Sequence, residues 1–252
     1  MTTSARAVLV TGASRGIGAA IARAFARNGD HVAVHYGSGR QSAEDTQASL
    51  AGTGHVIVQA DLRDPEAVLA MVGRAASTLG RIDVLVNNAG IFVPHPIEAV
   101  DYDEWQRAWR DTIDVNLIGA ANVTWCALQH MPRHASSRII NVGSRGAFRG
   151  EPRNPSYGAS KAGIAAFGQS IAKSLGHEGI AVTTIAPGFV DTDMAAASLA
   201  GPRGDEIRAQ SPFNRVPTAD EVASAVVFLA SAEAEWASGS VLDFNGASYF
   251  RL

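Results

Sequence analysis

Ala7-Val8-Leu9-Val10-Thr11-Gly12-Ala13-Ser14-Arg15-Gly16-Ile17-Gly18 is the stretch whose reading decides the fold. Its first four residues are a β-prone apolar run, its glycines a turn, and the pattern from Ala19 to Asn28 is helical. A strand, a glycine turn and a helix start in that order make a place for an anion. Glycine permits positive φ and close backbone approach, and the helix start offers free N–H groups at the positive end of its dipole. The three-residue gap between Gly12 and Gly16 departs from the longer G-x-G-x-x-G fingerprint, yet the motif stands on the first strand, where a pyrophosphate loop belongs.

Outward from this unit, β-rich runs near 31–35, 55–60, 82–87, 137–143, 180–186 and 240–244 alternate with helical patterns near 41–50, 65–79, 104–131, 156–177 and 219–231. Repeated βα units imply an α/β fold with a parallel sheet and helices on both faces. Right-handed crossovers then give a doubly wound Rossmann order, 3-2-1-4-5-6. No Pro/Gly/Ser-rich linker, charge block or repeat divides the 252 residues, so 1–252 reads as a single domain. Ligands of such sheets bind beyond the carboxyl ends of the strands, which is where Gly12–Gly18, Asn87–Gly90, Ser144 and Pro187–Thr192 fall.

Composition excludes several classes. The net charge is −3, with 21 basic residues scattered among 24 acidic ones, so no nucleic-acid partner is expected. Met1 to Arg6 lack the apolar core of a signal peptide, and no 18-residue apolar run follows; a cytoplasmic protein without a membrane partner is expected. The lone Cys126 reads as a small core residue. Of seven histidines only His130 and His134 have ligand spacing, with Pro132 between them and no acid or cysteine to complete a site, so no metal is expected.

The chain has only two lysines, and Lys161 stands four residues after Tyr157 in Ser156-Tyr157-Gly158-Ala159-Ser160-Lys161. On a helix that spacing puts both groups on one face. A tyrosine with pKa ~10 works as a general acid or base near neutrality when a fixed ammonium favours its phenolate. The alternative is an ordinary surface i,i+4 contact. Ser144, at the end of the apolar run 138–143, offers a hydroxyl to face the phenol.

Together these residues resemble the short-chain dehydrogenase/reductase family over nearly the whole length. Thr11-Gly12-x-x-x-Gly16-x-Gly18 is similar to its cofactor loop, Asn87-Asn88-Ala89-Gly90 to its strand-four signature, and Asn116, Ser144, Tyr157 and Lys161 to its catalytic tetrad. The resemblance implies a seventh strand at the edge, order 3-2-1-4-5-6-7, and a homotetramer built from the long helices and the carboxyl-terminal strand. It also implies that Tyr157 gives a proton to the substrate oxygen while Ser144 holds it. Lys161 would lower the phenol pKa and bond the nicotinamide ribose, and Asn116 would anchor a water. Ser14, Arg15 and Ile17 of the loop, Asp61 and Leu62 after strand three, and Pro187, Gly188, Val190 and Thr192 are the remaining implied cofactor contacts. Asp61 could equally cap the next helix, although Asp64 is better placed for that.

Tyr36 stands where an NAD-preferring site would place an acid, with Ser38 and Arg40 after it and Arg15 in the loop; NADP is therefore expected over NAD. Within the family the likeness is to 3-oxoacyl-[acyl-carrier-protein] reductases, through Ala186 to Met194 and Gly239 to Gly246. Three departures stand out. Glu178 lies where a carrier-binding arginine often lies, which puts an acyl-carrier-protein partner in question. The run 103–114 is about one helical turn longer than usual. Arg145, Arg149 and Arg153 crowd the loop beside Ser144, either to receive an anion or, as the expectation favours, to be solvated. Substrate choice is expected to lie in the segments 145–155 and 189–213. Three functions follow: an NADPH-dependent ketone reductase acting on a 3-oxoacyl thioester or related carbonyl, an NAD-linked dehydrogenase of a sugar, polyol or steroid alcohol, and a non-catalytic dinucleotide-binding sensor or scaffold.

Overall fold

Seven parallel strands form one sheet in the order 3-2-1-4-5-6-7. They are β1 (Ala7–Val10), β2 (His31–Tyr36), β3 (Val56–Gln59), β4 (Val84–Asn87), β5 (Ser137–Val142), β6 (Ile180–Pro187) and β7 (Val241–Phe244). The computed structural model describes residues 5–133 and 137–251; the expectations resting on residues 1–4, His134 and Leu252 lie outside the described residues. β1 pairs with both β2 and β4. The strand order reverses there, and successive crossovers leave on opposite faces, so a crevice opens at the carboxyl ends of these two strands.

Side chains of a strand alternate between faces, and both faces of this sheet are covered. Val8, Val10, Val32, Val34, Val84 and Val86 turn to one layer, with Ile21 and Phe25 of α1 (Gly16–Arg27) and Val222 and Val226 of α10 (Ala219–Leu229). Leu9, Ala33, Leu85 and Ile139 turn to the other, with Val68 and Met71 of α3 (Pro65–Leu79) and Val123 of α5 (Ala120–Leu128). This double covering is why the strands read as unbroken apolar runs. Cys126 belongs to the second layer as a core residue, and burial raises its thiol pKa.

Two local features differ from the sequence expectations. The helix expected over 104–131 is α4 (Tyr102–Ile113), a π-helical segment Asp114–Gly119, and α5. A π turn holds an extra residue and turns side chains out of α-helical phase, and Asn116 sits inside it. The segment 145–155 contains α6 (Gly146–Arg149), and 189–213 contains α8 (Asp193–Ala200) and α9 (Gly204–Ala209). Asp64, the better placed of the two acids in the sequence, caps α3 as expected: its carboxylate accepts from the N–H groups of Glu66 and Ala67, with Pro65 at the first helical position, an arrangement worth about 1 kcal/mol. Gly163 and Ala165 of α7 (Pro155–Leu175) pack within the subunit, Gly163 against Leu117, leaving Ala159 and Ala166 on the outer face. Among the described residues no helix is long and apolar enough to cross a membrane.

One buried side chain ties the crevice to the neighbouring strands. His35 Nδ1 accepts from the Gly12 N–H at 3.0 Å, which leaves Nε2 to donate to the Ala60 carbonyl at 3.1 Å. The ring thus joins the glycine turn to the ends of β2 and β3. Burial pushes its pKa down to about 4. A depressed histidine stays neutral in the native state while the unfolded chain takes up a proton. Its contribution is therefore complete above pH 6.5 and is lost as pH falls from 6.5 towards 4, a loss of about 3 kcal/mol for this shift. His35→Phe, which leaves Gly12 N–H and Ala60 C=O unpaired, should lower stability at pH 7.5 by about 1–3 kcal/mol and flatten the decline between pH 6.5 and 4. Urea unfolding across that range checks both; an unchanged acid decline in the variant would contradict the assignment.

Candidate active site

At the crevice, Thr11 extends β1 and clasps β4. Its N–H donates to Val86 O, and its Oγ1 accepts from the backbone N–H groups of Asn88 and Ala89, each at 3.0 Å. Asn88 Nδ2 returns two bonds, to Thr11 O at 2.8 Å and Gly12 O at 3.0 Å. The glycines are required by this crowding. A Cβ on Gly12, whose φ is +62°, would lie 2.8 Å from Ala89 Cα, and one on Gly18 would collide with the Gly12 carbonyl and lie 2.5 Å from Asn88 Nδ2. α1 begins at Gly16 with Arg15 at its N-cap and no side-chain cap, so no side chain takes up its first N–H groups. Thr192 faces Gly16 across this turn, its Cγ2 3.7 Å from where a Cβ would stand. A backbone cradle at an uncapped helix start, closed by a polar strap from beyond β6, fits the diphosphate of a dinucleotide.

Tyr36 is buried at the end of β2, and Ser38, Gly39 and Arg40 follow it into α2 (Arg40–Ala48). No carboxylate intervenes between Tyr36 and α2. Arg40 is exposed and bonds Glu44 at 2.8 Å along its own helix; Arg15 is exposed beside the glycine turn. Asp61 is held by Arg63 at 2.6 Å, which keeps its carboxyl below the usual range, and Leu62 packs against Gly119.

Tyr157 lies in the first turn of α7, on the sheet side, and its phenol shares a hydrogen bond with Ser144, which follows β5. The Phe92 ring meets the phenol ring edge to face, centroids 4.9 Å apart. Lys161 is buried one turn further on; its Nζ donates to Val142 O at 2.8 Å and stands 5.7 Å from the Tyr157 ring centre. The spacing of the pair therefore belongs to a buried face and not to a surface contact. Asn116 Oδ1 accepts from Ile91 N–H at 2.8 Å, while its Nδ2 donates to Ile91 O and to Ser160 Oγ. Asn116 and Lys161 both flank Gly90, where a Cβ would stand 3.3 Å from Asn116 Oδ1 and 3.5 Å from Lys161 Nζ. Asn87 bonds the side chains of Thr124 and Asn141.

Electrostatics differ from the expectation that Lys161 lowers the phenol pKa. Burial is the larger influence and pushes Tyr157 up to about 12, the Ser144 bond opposing and the Glu151 charge adding to it. Burial also brings Lys161 down to about 8. In the free protein the phenol is thus an acid that keeps its proton throughout the neutral range.

A residue unnoticed in the sequence supports this helix. His95 Nδ1 donates to Val93 O at 2.7 Å, and Nε2 accepts from Ser156 N–H at 3.2 Å, satisfying a free donor at the start of α7. Its setting between Pro94 and Pro96 was the available signal.

On the substrate side the loop beside Ser144 is not simply solvated. Arg149 is exposed, but Arg145 is buried. Glu178 is paired with Arg133 at 2.8 Å. The carboxyl-terminal segment folds over this region of its own chain: Ser211 Oγ donates to Gly246 O at 2.6 Å and Tyr249 OH to Phe148 O at 3.0 Å, while Phe250 remains exposed.

Comparison with known proteins agrees with this architecture. A family model described as enoyl-(acyl carrier protein) reductase matches residues 12–246. The 3-oxoacyl-[acyl-carrier-protein] reductase FabG of Staphylococcus aureus (strain Mu50) is 38% identical over 246 residues, 97% of this chain and 98% of that protein. The cis-4-hydroxycyclohexanecarboxylate dehydrogenase of Sinomonas cyclohexanicum is 38% identical over 244 residues, 96% and 95% of the two chains. A short-chain dehydrogenase from Burkholderia cenocepacia J2315, solved in complex with NADP, superposes with a TM-score of 0.88 at 34% identity, covering 96% of this chain and 97% of that one. With a matching fold, glycine cradle and Ser-Tyr-Lys cluster, the chain belongs to the short-chain dehydrogenase/reductase family of NAD(P)-dependent oxidoreductases, and within it is similar to the 3-oxoacyl-[acyl-carrier-protein] reductases.

Proposed function

We propose that this protein is an NADPH-dependent reductase that turns a ketone, a 3-oxoacyl thioester or a related carbonyl, into a secondary alcohol. The observation that carries the reading is the meeting of the Ser144 and Tyr157 hydroxyls with the buried Lys161 ammonium beside the glycine cradle. A bound nicotinamide cofactor supplies the hydride. Gly12, Ser14, Arg15, Gly16, Ile17 and Gly18 would hold its diphosphate, Asn88, Ala89 and Gly90 its middle, and Pro187, Gly188, Val190 and Thr192 its far end. Ser144 holds the carbonyl oxygen, and Tyr157, protonated to about pH 12, gives its proton to the oxygen as negative charge develops there. Lys161 places a positive charge behind the phenol as the proton leaves. Asn116, fixed by Ile91 and Ser160, anchors the water that returns a proton through Lys161. A sensor or scaffold would have no need of all four groups, which weighs against a non-catalytic role.

The 2′-phosphate preference rests on Tyr36 in place of an acid, with Arg15, Ser38 and Arg40 around it, and on the NADP carried by the Burkholderia relative. As for the substrate, one relative's name gives a carrier-bound 3-oxoacyl group and another's a free hydroxy acid. Glu178, an acid paired with Arg133 where the family's carrier-binding arginine often lies, favours a free substrate. For assembly, the reading is a tetramer with two-fold axes. Exposed Ala159 and Ala166 leave the outer face of α7 open to a second helix, and exposed Phe250 and Trp125 lie on surfaces that another subunit would cover.

Tyr157→Phe should lower turnover at least ~10²-fold while NADPH affinity stays within a few-fold, because the ring remains and the proton donor goes. Steady-state assays against a ketone panel with parallel fluorescence titration measure both, and near-normal turnover would sink the mechanism. NADPH should bind at least ~10-fold tighter than NADH, about 1.4 kcal/mol, which one charge-assisted phosphate contact supplies. Equal or reversed affinities in the same titration would show that the ribose end was misread. Light scattering at micromolar concentration should report a tetramer, and a monomer would remove the assembly.

A further inference from the structure

Arg145 follows Ser144 directly and is 4% exposed, yet among the described residues no carboxylate lies within ion-pair distance of it. Its Nη1 bonds Ser248 Oγ, its Nη2 donates to Gln210 Oε1 at 2.6 Å, and its guanidinium lies over the Phe189 ring at 5.3 Å. All of these partners are neutral. Burial brings the guanidinium down to about 10, the Arg149 charge acting in the same direction and the Glu151 charge against it. A second cation converges on the same atom: Arg149 Nη1 also reaches Gln210 Oε1, at 3.4 Å. Two guanidinium groups directed at one neutral amide oxygen form an arrangement that an anion would satisfy better, since bonds between charged partners are roughly twice as strong as neutral ones. Glu151, the nearby acid, lies against Gly146, and among the described residues no ion pair joins it to Arg145 or Arg149.

The surroundings place this cation pair at the substrate. Arg145 N–H donates to Pro187 O at 2.9 Å, so the residue spans the catalytic serine and the Pro187-Gly188 turn. Phe189 and Gln210 belong to the segment 189–213, and Gln210 and Arg149 are both exposed above the buried Arg145. An anion arriving from solvent has only to displace the Gln210 amide to meet both guanidinium groups.

We propose that Arg145 and Arg149 form a receptor for a carboxylate carried by the substrate, with Gln210 Oε1 holding the carboxylate's place in its absence. This rests on the reading of the site as a ketone reductase and narrows it: the substrate is a free oxo or hydroxy carboxylic acid, anchored at its acid end beside Ser144. Gln210 is then the specificity gate. Removing its amide frees the cations, and replacing it with an acid fills the receptor from within.

Two measurements separate this inference from the reductase reading. In the first, 4-acetylbenzoate and its methyl ester are compared as substrates with NADPH. The acid should show a kcat/KM at least ~10-fold higher, expressed mainly in KM. Gln210→Ala should lower KM for the acid, and Gln210→Glu should reduce kcat/KM for the acid at least ~10-fold more than for the ester, a contrast that a purely structural glutamine would not produce. In the second, calorimetry measures benzoate against benzamide binding to the protein, independently of turnover. Benzoate should bind at least ~10-fold tighter, and Arg149→Gln should abolish the difference while Arg149→Lys restores part of it. If benzoate binds no better than benzamide, or if ester and acid are reduced equally, the receptor is refuted while the reductase stands. If benzoate binds selectively but neither ketone is reduced, the receptor stands and the reductase reading fails.

Discussion

The clasp between Thr11 and Asn88 is what the rest of this molecule depends on. Parallel β1 and β4 are joined through several backbone bonds, but at their carboxyl ends the ladder stops and the strands must diverge to leave a crevice. Thr11 Oγ1 accepts from two consecutive N–H groups of the β4 extension, and Asn88 returns two donors to the carbonyls of Thr11 and Gly12. Four side-chain bonds thus satisfy the backbone of two turns that have left their strands and face each other. That closeness leaves no room for a Cβ at Gly12 or Gly18, and it carries Ala89 and Gly90 to the position from which Asn116 and Lys161 are set.

From the clasp the constraints propagate in both directions. Towards β2 and β3, His35 fastens the glycine turn to the end of the third strand. Towards β5, Gly90 allows Asn116 and Lys161 to close in, and Asn116 passes the register on through Ser160 to the carbonyl of Tyr157. His95 completes the chain of support at the start of α7. The geometry of the candidate site is held by polar side chains bonding to backbone, on elements that are themselves packed into two apolar layers.

Much of this was legible in the sequence because it is local. The glycine spacing from 12 to 18 and the four-residue step from Tyr157 to Lys161 depend only on turn and helix geometry, and the seven apolar runs depend only on burial of both sheet faces. The π turn was not legible: the pattern from 102 to 128 is continuous at helical spacing, and one extra residue in a turn leaves no mark on composition. The wedge of His35 joins residues 23 and 25 positions away, so no periodicity reveals it. An arginine-rich stretch between glycines has the look of a solvated loop, and only the fold showed that the first of its arginines lies beneath the others. The α8 and α9 helices are only eight and six residues long, too short for helical periodicity to stand out from a loop.

The carboxyl-terminal segment gives the active-site wall an unusual origin. Ser248 bonds Arg145, Gly246 accepts from Ser211, and Tyr249 bonds Phe148, so three of the last seven residues are stitched to segments beside Ser144 and after β6. A purification tag or fusion partner joined to the carboxyl end of the chain would therefore be tethered a few residues from Ser248 and Tyr249, which are bonded to the segment that carries Ser144. Expression design for this chain is a choice about its active site.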